Sequence, residues 1–327
     1  MSAGEIIKKM LAGRPEGAPK RSARTLLAAW WRCARPPFFI TAAIPVLVGL
    51  AFVMRQQIVL DSSLVCRLIF LLLGCGLGLT IANVANELFD YVLGVDSQED
   101  SIGGTGVIQS GSISCRELFV AILLLIAATL AIGIGLVYTL PAPLRPVILA
   151  LTIFAVASAV FYVAPPIRYG HRGLGEIMVG INMGFIIVSA SATILAQSFD
   201  IRSLGVAFPV VLMVAGILYY QSLPEIETDA RAGKKTLANI LGKDHALFLF
   251  RLWWPVVWLC CANLFLCGLA GWPVFSCLVC VPLWWKAQSL VAACGDGDWL
   301  PLDKYGYLVR LCYLITGGAL VWGVAWL

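Results

Sequence analysis

Long apolar stretches alternate with short polar segments along most of the chain. A helix needs about 20 apolar residues to cross the hydrocarbon core of a membrane. Nine stretches meet this requirement, so the pattern predicts nine membrane-spanning helices. They cover roughly residues 37–54, 64–89, 117–139, 145–164, 174–197, 203–222, 246–268, 271–292 and 305–326. Prolines interrupt the seventh and eighth stretches, but a membrane helix tolerates proline where its neighbours satisfy the freed carbonyl groups.

The composition agrees with this pattern. Of the 327 residues, 60% are hydrophobic and only 13% are charged, which is far more apolar than a water-soluble domain of this size. We therefore predict an all-α, polytopic membrane protein. The 11 cysteines are scattered, many of them inside apolar stretches, and we interpret them as small hydrophobic residues. The net charge of +5 is small, and we expect no nucleic-acid partner.

Residues 1–36 are basic and polar and precede the first predicted span. The basic part is too long for a signal peptide, and no small-residue cleavage site follows it. We predict a cytoplasmic tail that contains an interfacial segment near Leu26, where Trp30 and Trp31 suit the headgroup level of a membrane. Residues 37–327 then form one transmembrane domain.

The distribution of basic residues predicts the orientation. With the N-terminus inside, all but four of the 23 Lys and Arg residues fall on the inner side. Cytoplasmic loops are enriched in Lys and Arg. The N-terminus and the even-numbered loops are therefore predicted to face the cytoplasm.

The second predicted span ends in a polar stripe. Asn83, Asn86, Glu87 and Asp90 stand at i, i+3, i+4 and i+7 and would share one helix face, and Asp96 follows shortly after. Carboxylates at the end of a membrane helix are costly unless they are solvated, paired or bound to a cation. Several converging oxygen ligands suit Mg²⁺. The alternative is a solvated helix end with an acidic loop.

A second acidic cluster follows the sixth predicted span. Glu225 and Asp229 are four residues apart and can share a helix face, and Lys234 and Lys235 follow Gly233. These charges could form only a surface salt-bridge patch, which contributes little. However, both clusters are predicted on the same side of the membrane. Two acidic sites on separate helices can hold metal ions between them, and the ions can hold a diphosphate.

Two further loops offer candidate contacts. The loop after the fourth span contains Arg168 and Arg172, whose guanidinium groups suit phosphate oxygens, although a Pro-Pro turn with basic anchors is an alternative interpretation. His171 receives no role from the sequence. Residues 103–114 are Gly-rich but lack the Lys-Ser/Thr pair of a phosphate-binding loop, so we predict a flexible lid or substrate-contacting loop.

Together, the two acidic motifs resemble those of the UbiA-type intramembrane prenyltransferases, over a region from Ala34 to about Gly242. Within that family, three features are similar to the 1,4-dihydroxy-2-naphthoate branch, which makes menaquinone precursors. They are the spacing Asn-Glu-x-x-Asp-Tyr-x-x-Gly-x-Asp, the run Gly-Gly-Thr-Gly-Val-Ile-Gln and the run Gly-Leu-Gly-Glu. The chain departs from the family pattern at Glu87 and Glu225, where Asp is usual.

The resemblance implies a ring of nine transmembrane helices around a central cavity in a prenyltransferase domain, located in the inner membrane of the cell. It implies a Mg²⁺-dependent enzyme that transfers a polyprenyl group from its diphosphate to an aromatic acceptor, with 1,4-dihydroxy-2-naphthoate favoured. The catalytic acids would be Asp90, Asp96 and Asp229. The metal ligands would be Asn86, Glu87, Asp90, Asp96, Glu225 and Asp229. The diphosphate would contact Arg35, Arg168, Arg172 and Lys234.

Three alternatives remain open at this point. The acceptor could be another aromatic acid such as 4-hydroxybenzoate. The chain could instead be a transporter with cytoplasmic acidic gates, although secondary transporters tend to place their ionisable groups near the bilayer midplane. Finally, the two Glu substitutions leave open a family member that has lost its activity and serves a partner.

Overall fold

Residues 2–14, 20–56, 61–95 and 104–327 are described by the structure, a computed structural model. Within these ranges the chain is helical, and its only β-type pairing is an isolated bridge between Arg172 and Lys235. Thirteen α-helices follow one another along the chain. They are α1 (Ala3–Met10), α2 (Ala23–Ala34), α3 (Phe39–Met54), α4 (Ser62–Leu93), α5 (Cys115–Tyr138), α6 (Arg145–Phe161), α7 (Gly175–Gly180), α8 (Ile187–Ala196), α9 (Arg202–Ser222), α10 (Ile226–Arg231), α11 (Leu237–Leu266), α12 (Val281–Cys294) and α13 (Gly306–Ala325).

Nine helical segments of the described chain are long and apolar enough to cross a membrane. They are Ala23–Met54, Ser62–Leu93, Cys115–Tyr138, Ala142–Phe161, Gly175–Ala196, Arg202–Ser222, Leu237–Leu266, Trp272–Cys294 and Leu300–Ala325. The predicted all-α, multi-pass fold with nine spans is confirmed. The main differences are at the ends, because the first and seventh spans begin earlier than the hydropathy pattern indicates.

The spans pack against one another around α3 and α9. Helix α3 packs against α4, α8 and α13, and α9 packs against α11 and α13. Gly49 permits the close approach of α3 to α8, since a Cβ atom there would lie only 2.8 Å from the carbonyl oxygen of Val188. Small residues at such contacts let membrane helices pack closely. The main core cluster lies between these helices and includes Phe52, Trp254 and Tyr313.

Helix α4 carries the first acidic motif at its C-terminal end. It begins at Asp61, whose carboxylate accepts a hydrogen bond from the Leu64 N–H at 2.7 Å, and it ends at Gly94, which has a left-handed φ of 80°. Its 32 residues give a length of about 48 Å at the usual rise per residue. The hydrocarbon core is only about 30 Å thick. A helix this long is therefore expected to extend past the core or to tilt strongly, and its last turns hold Asn86 and Asp90.

The second acidic motif lies in a break between two spans. Helix α9 ends at Ser222, the short α10 follows, and Gly233 reverses the chain with a φ of 71°. Helix α11 then begins behind Thr236, whose side chain accepts a hydrogen bond from the Asn239 N–H. The motif is thus held in a compact turn at the end of the sixth span.

The interrupted spans have local causes. Helix α11 is kinked at Gly242, where the backbone is non-helical, and it also contains Pro255. The eighth span starts as a 3-10 segment from Trp272 to Cys280, with Pro273 in its first turn, and continues as α12 with Pro282 in its first turn. Proline is accommodated in a first turn because its missing N–H has no helical partner there.

The N-terminal residues dock onto the membrane domain. Lys9 Nζ donates to the Val92 carbonyl at 3.3 Å, and Arg14 Nε donates to the Gly111 carbonyl at 2.8 Å. Arg21 forms an ion pair with Glu117 at 2.6 Å. The N-terminal segment therefore contacts both the end of α4 and the Gly-rich loop. The domain boundary at residue 36 stays a prediction.

Candidate active site

A cavity of about 620 Å³ lies among the membrane-spanning helices, and residues from most of them line it. Most of its wall is apolar. Its polar lining includes both acidic motifs, and the predicted site residues that face it are Arg35, Asn86, Asp90, Glu225, Asp229 and Lys234. The fold therefore brings together residues that are far apart in the sequence.

Asp90 is buried in the last turn of α4, beside His171. The His171 Nε2 atom lies 3.0 Å from Asp90 Oδ1, but neither atom makes an aligned hydrogen bond in the described structure. On its other side, His171 Nδ1 is 2.8 Å from Arg168 Nη2. Because arginine can only donate, Nδ1 accepts this hydrogen bond, which leaves the ring proton on Nε2, facing Asp90.

Lys234 is the cation of the second motif. Its Nζ atom lies 3.2 Å from Asp229 Oδ1 and 3.8 Å from Glu225 Oε2. Burial acts to lower the pKa of Lys234, but the surrounding carboxylates outweigh it and raise the pKa above the usual value of a lysine. Burial also raises the pKa of the Asp229 carboxyl, and Lys234 offsets only part of that rise. Lys234 therefore remains a fixed positive charge beside the acids.

Two backbone hydrogen bonds join the loop that carries His171 to the turn that carries Lys234. The Gly173 N–H donates to the Lys235 carbonyl at 2.8 Å, and the Lys235 N–H donates to the His171 carbonyl at 3.1 Å. The loop after the fourth span is thus fixed to the turn after α10. This pairing explains how His171 reaches Asp90 while Lys234 reaches Asp229.

Three predicted site residues do not line the cavity. Glu87 is buried, and its Oε2 atom accepts a hydrogen bond from the Thr105 N–H at 2.9 Å and lies 4.0 Å from Arg35 Nη2. Successive helix positions differ by about 100°, which turns Glu87 away from the face shared by Asn86 and Asp90. The other two are Arg168, which contacts His171, and Arg172, which is exposed and donates to the Pro166 carbonyl at 2.9 Å. Asp96 lies outside the described residues.

Sequence reasoning missed two contributors. His171 looked like an isolated histidine, and only the backbone bridge of the folded chain places it against Asp90. Arg310 was counted only as one of the inner-side basic residues, yet it lines the cavity from α13. A signal for Arg310 was present, because a charged residue inside an apolar span usually marks a functional site.

The acids present a partial cation site. Asp90 Oδ1 and Asp229 Oδ2 are buried and make no hydrogen bond in the described structure. Among the described residues, Asp90 Oδ1 has only the unaligned contact with His171. Buried carboxylate oxygens that lack hydrogen bonds are costly, so the pair suits a bound cation. No group of three or more His, Cys, Asp or Glu side chains within the described ranges forms a complete metal cage. Mg²⁺ commonly binds through one or two carboxylates, water and substrate phosphates, so the donor set fits an ion that is shared with a diphosphate.

Known proteins support this interpretation. The model of the UbiA prenyltransferase family matches residues 42–300. The chain belongs to the UbiA prenyltransferase family. This confirms the predicted resemblance and the predicted enzyme class, rather than the transporter alternative.

Curated relatives of this UbiA family member cover most of its length. The chain is 28% identical over 267 residues to the 1,4-dihydroxy-2-naphthoate octaprenyltransferase of Haemophilus influenzae. The aligned region covers 81% of this chain and 85% of that protein. It is 26% identical over 271 residues to the enzyme of the same name from Bacillus subtilis, covering 83% of each.

A solved structure shows the same fold. A UbiA homolog from Archaeoglobus fulgidus, bound to DMAPP and Mg²⁺, has a TM-score of 0.61 and 18% sequence identity. The match covers 89% of this chain and 98% of that chain. The predicted all-α fold is therefore the fold of this family.

Proposed function

We propose that this UbiA family member transfers a polyprenyl group from its diphosphate to an aromatic acceptor, with 1,4-dihydroxy-2-naphthoate favoured, in menaquinone biosynthesis. One observation carries the proposal. In the part of the chain that the structure describes, Asp229 buries a carboxylate oxygen without a hydrogen bond beside the cation Lys234, and the buried Asp90 Oδ1 has only the unaligned contact with His171; both acids lie in the wall of a largely apolar cavity. A long apolar chain that ends in an anionic diphosphate matches this combination of an apolar wall and a charged patch.

The charged patch would bind the diphosphate. Asn86, Asp90, Glu225 and Asp229 face the cavity with oxygen atoms and would hold Mg²⁺. When bound, the ion would act as a Lewis acid that neutralises charge on the leaving diphosphate. Lys234 and Arg35 also line the cavity and would pair with phosphate oxygens directly. Asp96 remains a predicted ligand.

The apolar wall would protect the reactive intermediate. Breaking the bond between the prenyl carbon and the diphosphate oxygen leaves an allylic cation, which water would capture. Side chains such as Leu71, Ile132, Ile187 and Ile194 line the cavity and exclude water from it. The electron-rich acceptor ring then attacks the cation and forms the new carbon–carbon bond, and the attacked carbon loses its proton, or CO2 where it carries the carboxylate. With a hydroxynaphthoate acceptor, decarboxylation accompanies this attachment.

The choice of acceptor rests on the relatives. Two proteins named as 1,4-dihydroxy-2-naphthoate octaprenyltransferases match more than four fifths of this chain. Their names support a naphthoate acceptor here, whereas 4-hydroxybenzoate remains the rival within the family.

The proposed setting is the inner membrane, with both acidic motifs on the cytoplasmic side. The Lys and Arg distribution supports this orientation, since only Arg55, Arg67, Arg145 and Arg202 fall on the outer side.

A reconstituted assay tests the proposal. Purified protein in detergent would be incubated with Mg²⁺, a polyprenyl diphosphate and a panel of aromatic acids, and the products identified by mass spectrometry. We expect a prenylated naphthoquinol from 1,4-dihydroxy-2-naphthoate, and no product in excess chelator or with the Asp229→Asn variant. Preferred prenylation of 4-hydroxybenzoate would reassign the acceptor. An absence of product with every acceptor would overturn the proposed activity.

A further inference from the structure

Arg310 adds a third basic side chain to the described lining of the cavity, beside Arg35 and Lys234. It lies in the first turns of α13, within the apolar span Leu300–Ala325, and its side chain lines the cavity. None of the proposed metal ligands comes from α13. The charge therefore enters from a wall of the cavity that is separate from the acidic motifs.

The guanidinium group of Arg310 has no ion pair and no hydrogen bond among the residues that the structure describes. Within the described ranges, its Cζ atom overlies the ring of Phe38 at 5.5 Å from the centroid. By comparison, Arg202 at another span end pairs with Asp200 at 2.6 Å. An intramembrane arginine without a partner is costly, so such a residue usually serves a ligand.

Two aromatic rings lie near Arg310, and Asp303 is the acidic residue of the same part of the cavity wall. A Cβ atom added at Gly306 would lie 3.8 Å from Arg310 Nη1 and 3.8 Å from the Tyr220 ring, so both groups border the space beside this glycine. Tyr220 is held in place because its hydroxyl donates to the Leu302 carbonyl at 3.0 Å. Phe38 and Tyr220 both line the cavity. A cation flanked by two aromatic rings suits an anion that is itself attached to an aromatic ring.

We propose that Arg310 binds the carboxylate of the aromatic acceptor, while the acceptor ring packs beside Phe38 and Tyr220. The inference rests on the proposed function and adds the residue that selects acidic acceptors. The contact with Phe38 is a cation–π contact, so it takes none of the guanidinium N–H groups, and these can donate to a carboxylate in a bidentate contact. The donor diphosphate is instead assigned to the acids, Lys234 and Arg35.

The test compares two acceptors that differ by one group. With 1,4-dihydroxy-2-naphthoate, Arg310→Gln should raise the acceptor KM by about 10- to 100-fold, the range expected for losing a charged hydrogen bond. The KM for the prenyl diphosphate donor should differ from that of the wild type by less than about twofold. With 1,4-dihydroxynaphthalene, which lacks the carboxylate, the variant and wild type should behave alike. Arg310→Lys should recover part of the acceptor affinity because it restores the charge without the fork.

Lys304→Gln is the matched control. Lys304 is exposed, overlies the Tyr305 ring at 5.0 Å, precedes α13 and does not line the cavity. Its loss should leave both KM values unchanged, and thermal unfolding in detergent should show that all variants are folded. A larger effect of Arg310→Gln on the donor KM than on the acceptor KM would overturn the inference. Equal losses with both acceptors would also overturn it.

Direct binding separates this inference from the proposed activity. If the wild type makes no product with any acceptor, the proposed activity fails. Binding of 1,4-dihydroxy-2-naphthoate to wild type and to Arg310→Gln, followed by isothermal titration calorimetry, still decides the role of Arg310. Weaker binding by the variant supports the carboxylate site, and equal binding or no binding by either protein overturns it.

Discussion

His171 Nε2 and Asp90 Oδ1 lie 3.0 Å apart, and both side chains are buried. The contact depends on two features of the loop after the fourth span. Arg168 donates to His171 Nδ1, which leaves the proton of the histidine ring on Nε2. The backbone bridge to Lys235 holds the loop in place. His171 is placed to support Asp90 as a metal-binding carboxylate. Groups that contact a metal-binding side chain orient it and change its affinity for the metal.

We therefore expect His171 to act as a positioning residue for Asp90. His171→Ala should raise the Mg²⁺ concentration for half-maximal rate by about 10- to 100-fold, which is the usual effect of losing such a supporting contact. His171→Asn, which keeps a polar side chain, should be less severe. Mg²⁺ titrations of the prenyl-transfer rate provide the measurement.

Arg172→Gln is the neighbouring control for His171. Arg172 is exposed, and its side chain donates to the Pro166 carbonyl on the same loop. Its replacement should leave the Mg²⁺ dependence unchanged. If Arg172→Gln instead weakens donor binding strongly, the sequence-based assignment of Arg172 to the diphosphate would be correct.

Substitutions at Glu225 test whether the second acidic motif binds metal. This chain has Glu at that position in place of the usual Asp. Glu225 lines the cavity, and its carboxylate lies 3.8 Å from Lys234 Nζ. If it is a metal ligand, Glu225→Asp should keep measurable activity with a shifted Mg²⁺ optimum. Glu225→Gln should lose most activity, because neutralising the carboxylate weakens a site based on charge.

The control for Glu225 is Glu227→Gln. Glu227 is two residues away and exposed, and it pairs with Lys243 at 2.6 Å. Surface pairs of this kind contribute only about 0–1 kcal/mol, so the change should be near neutral. Wild-type rates in Glu225→Gln would show that the second metal site is not built as proposed.

Glu87 is predicted to be a metal ligand, but its position in the structure indicates a structural role. The structure binds its carboxylate to the Thr105 N–H at 2.9 Å, away from the cavity. Glu87→Gln should keep most activity, since an amide oxygen can accept the same hydrogen bond. Asp90→Asn should lose most activity under identical conditions. Mg²⁺-dependent rates of the two variants decide the matter, and an equal loss in both would support the predicted role of Glu87 as a ligand.

The sequence predicted the nine spans because membrane crossing depends on length and hydropathy, which are local properties. It also predicted the two acidic motifs, because each lies at a span end. The spacing of the residues also predicted that Glu87 shares a helix face with Asn86 and Asp90, since spacing was the only information on side-chain direction. The actual direction of Glu87 depends on Thr105 in the following loop.

Contacts between distant segments could not be predicted in the same way. His171 reaches Asp90 through backbone hydrogen bonds to Lys235, which follow from the packed arrangement of two loops. Arg310 reaches the cavity because the last span packs beside α3 and α9. Such pairings are set by tertiary packing, and a single sequence contains no direct record of them.

The orientation of the chain is the last prediction. The basic residues place the turn after α10 in the cytoplasm and the segment between the fifth and sixth spans outside. In intact cells, a membrane-impermeant thiol reagent should therefore label Ser198→Cys but not Ala232→Cys, which should react only after permeabilisation. The native Cys66 and Cys267 are exposed and would be replaced by Ser beforehand. Labelling of Ala232→Cys in intact cells would reverse the predicted orientation and move the acidic site to the outer face.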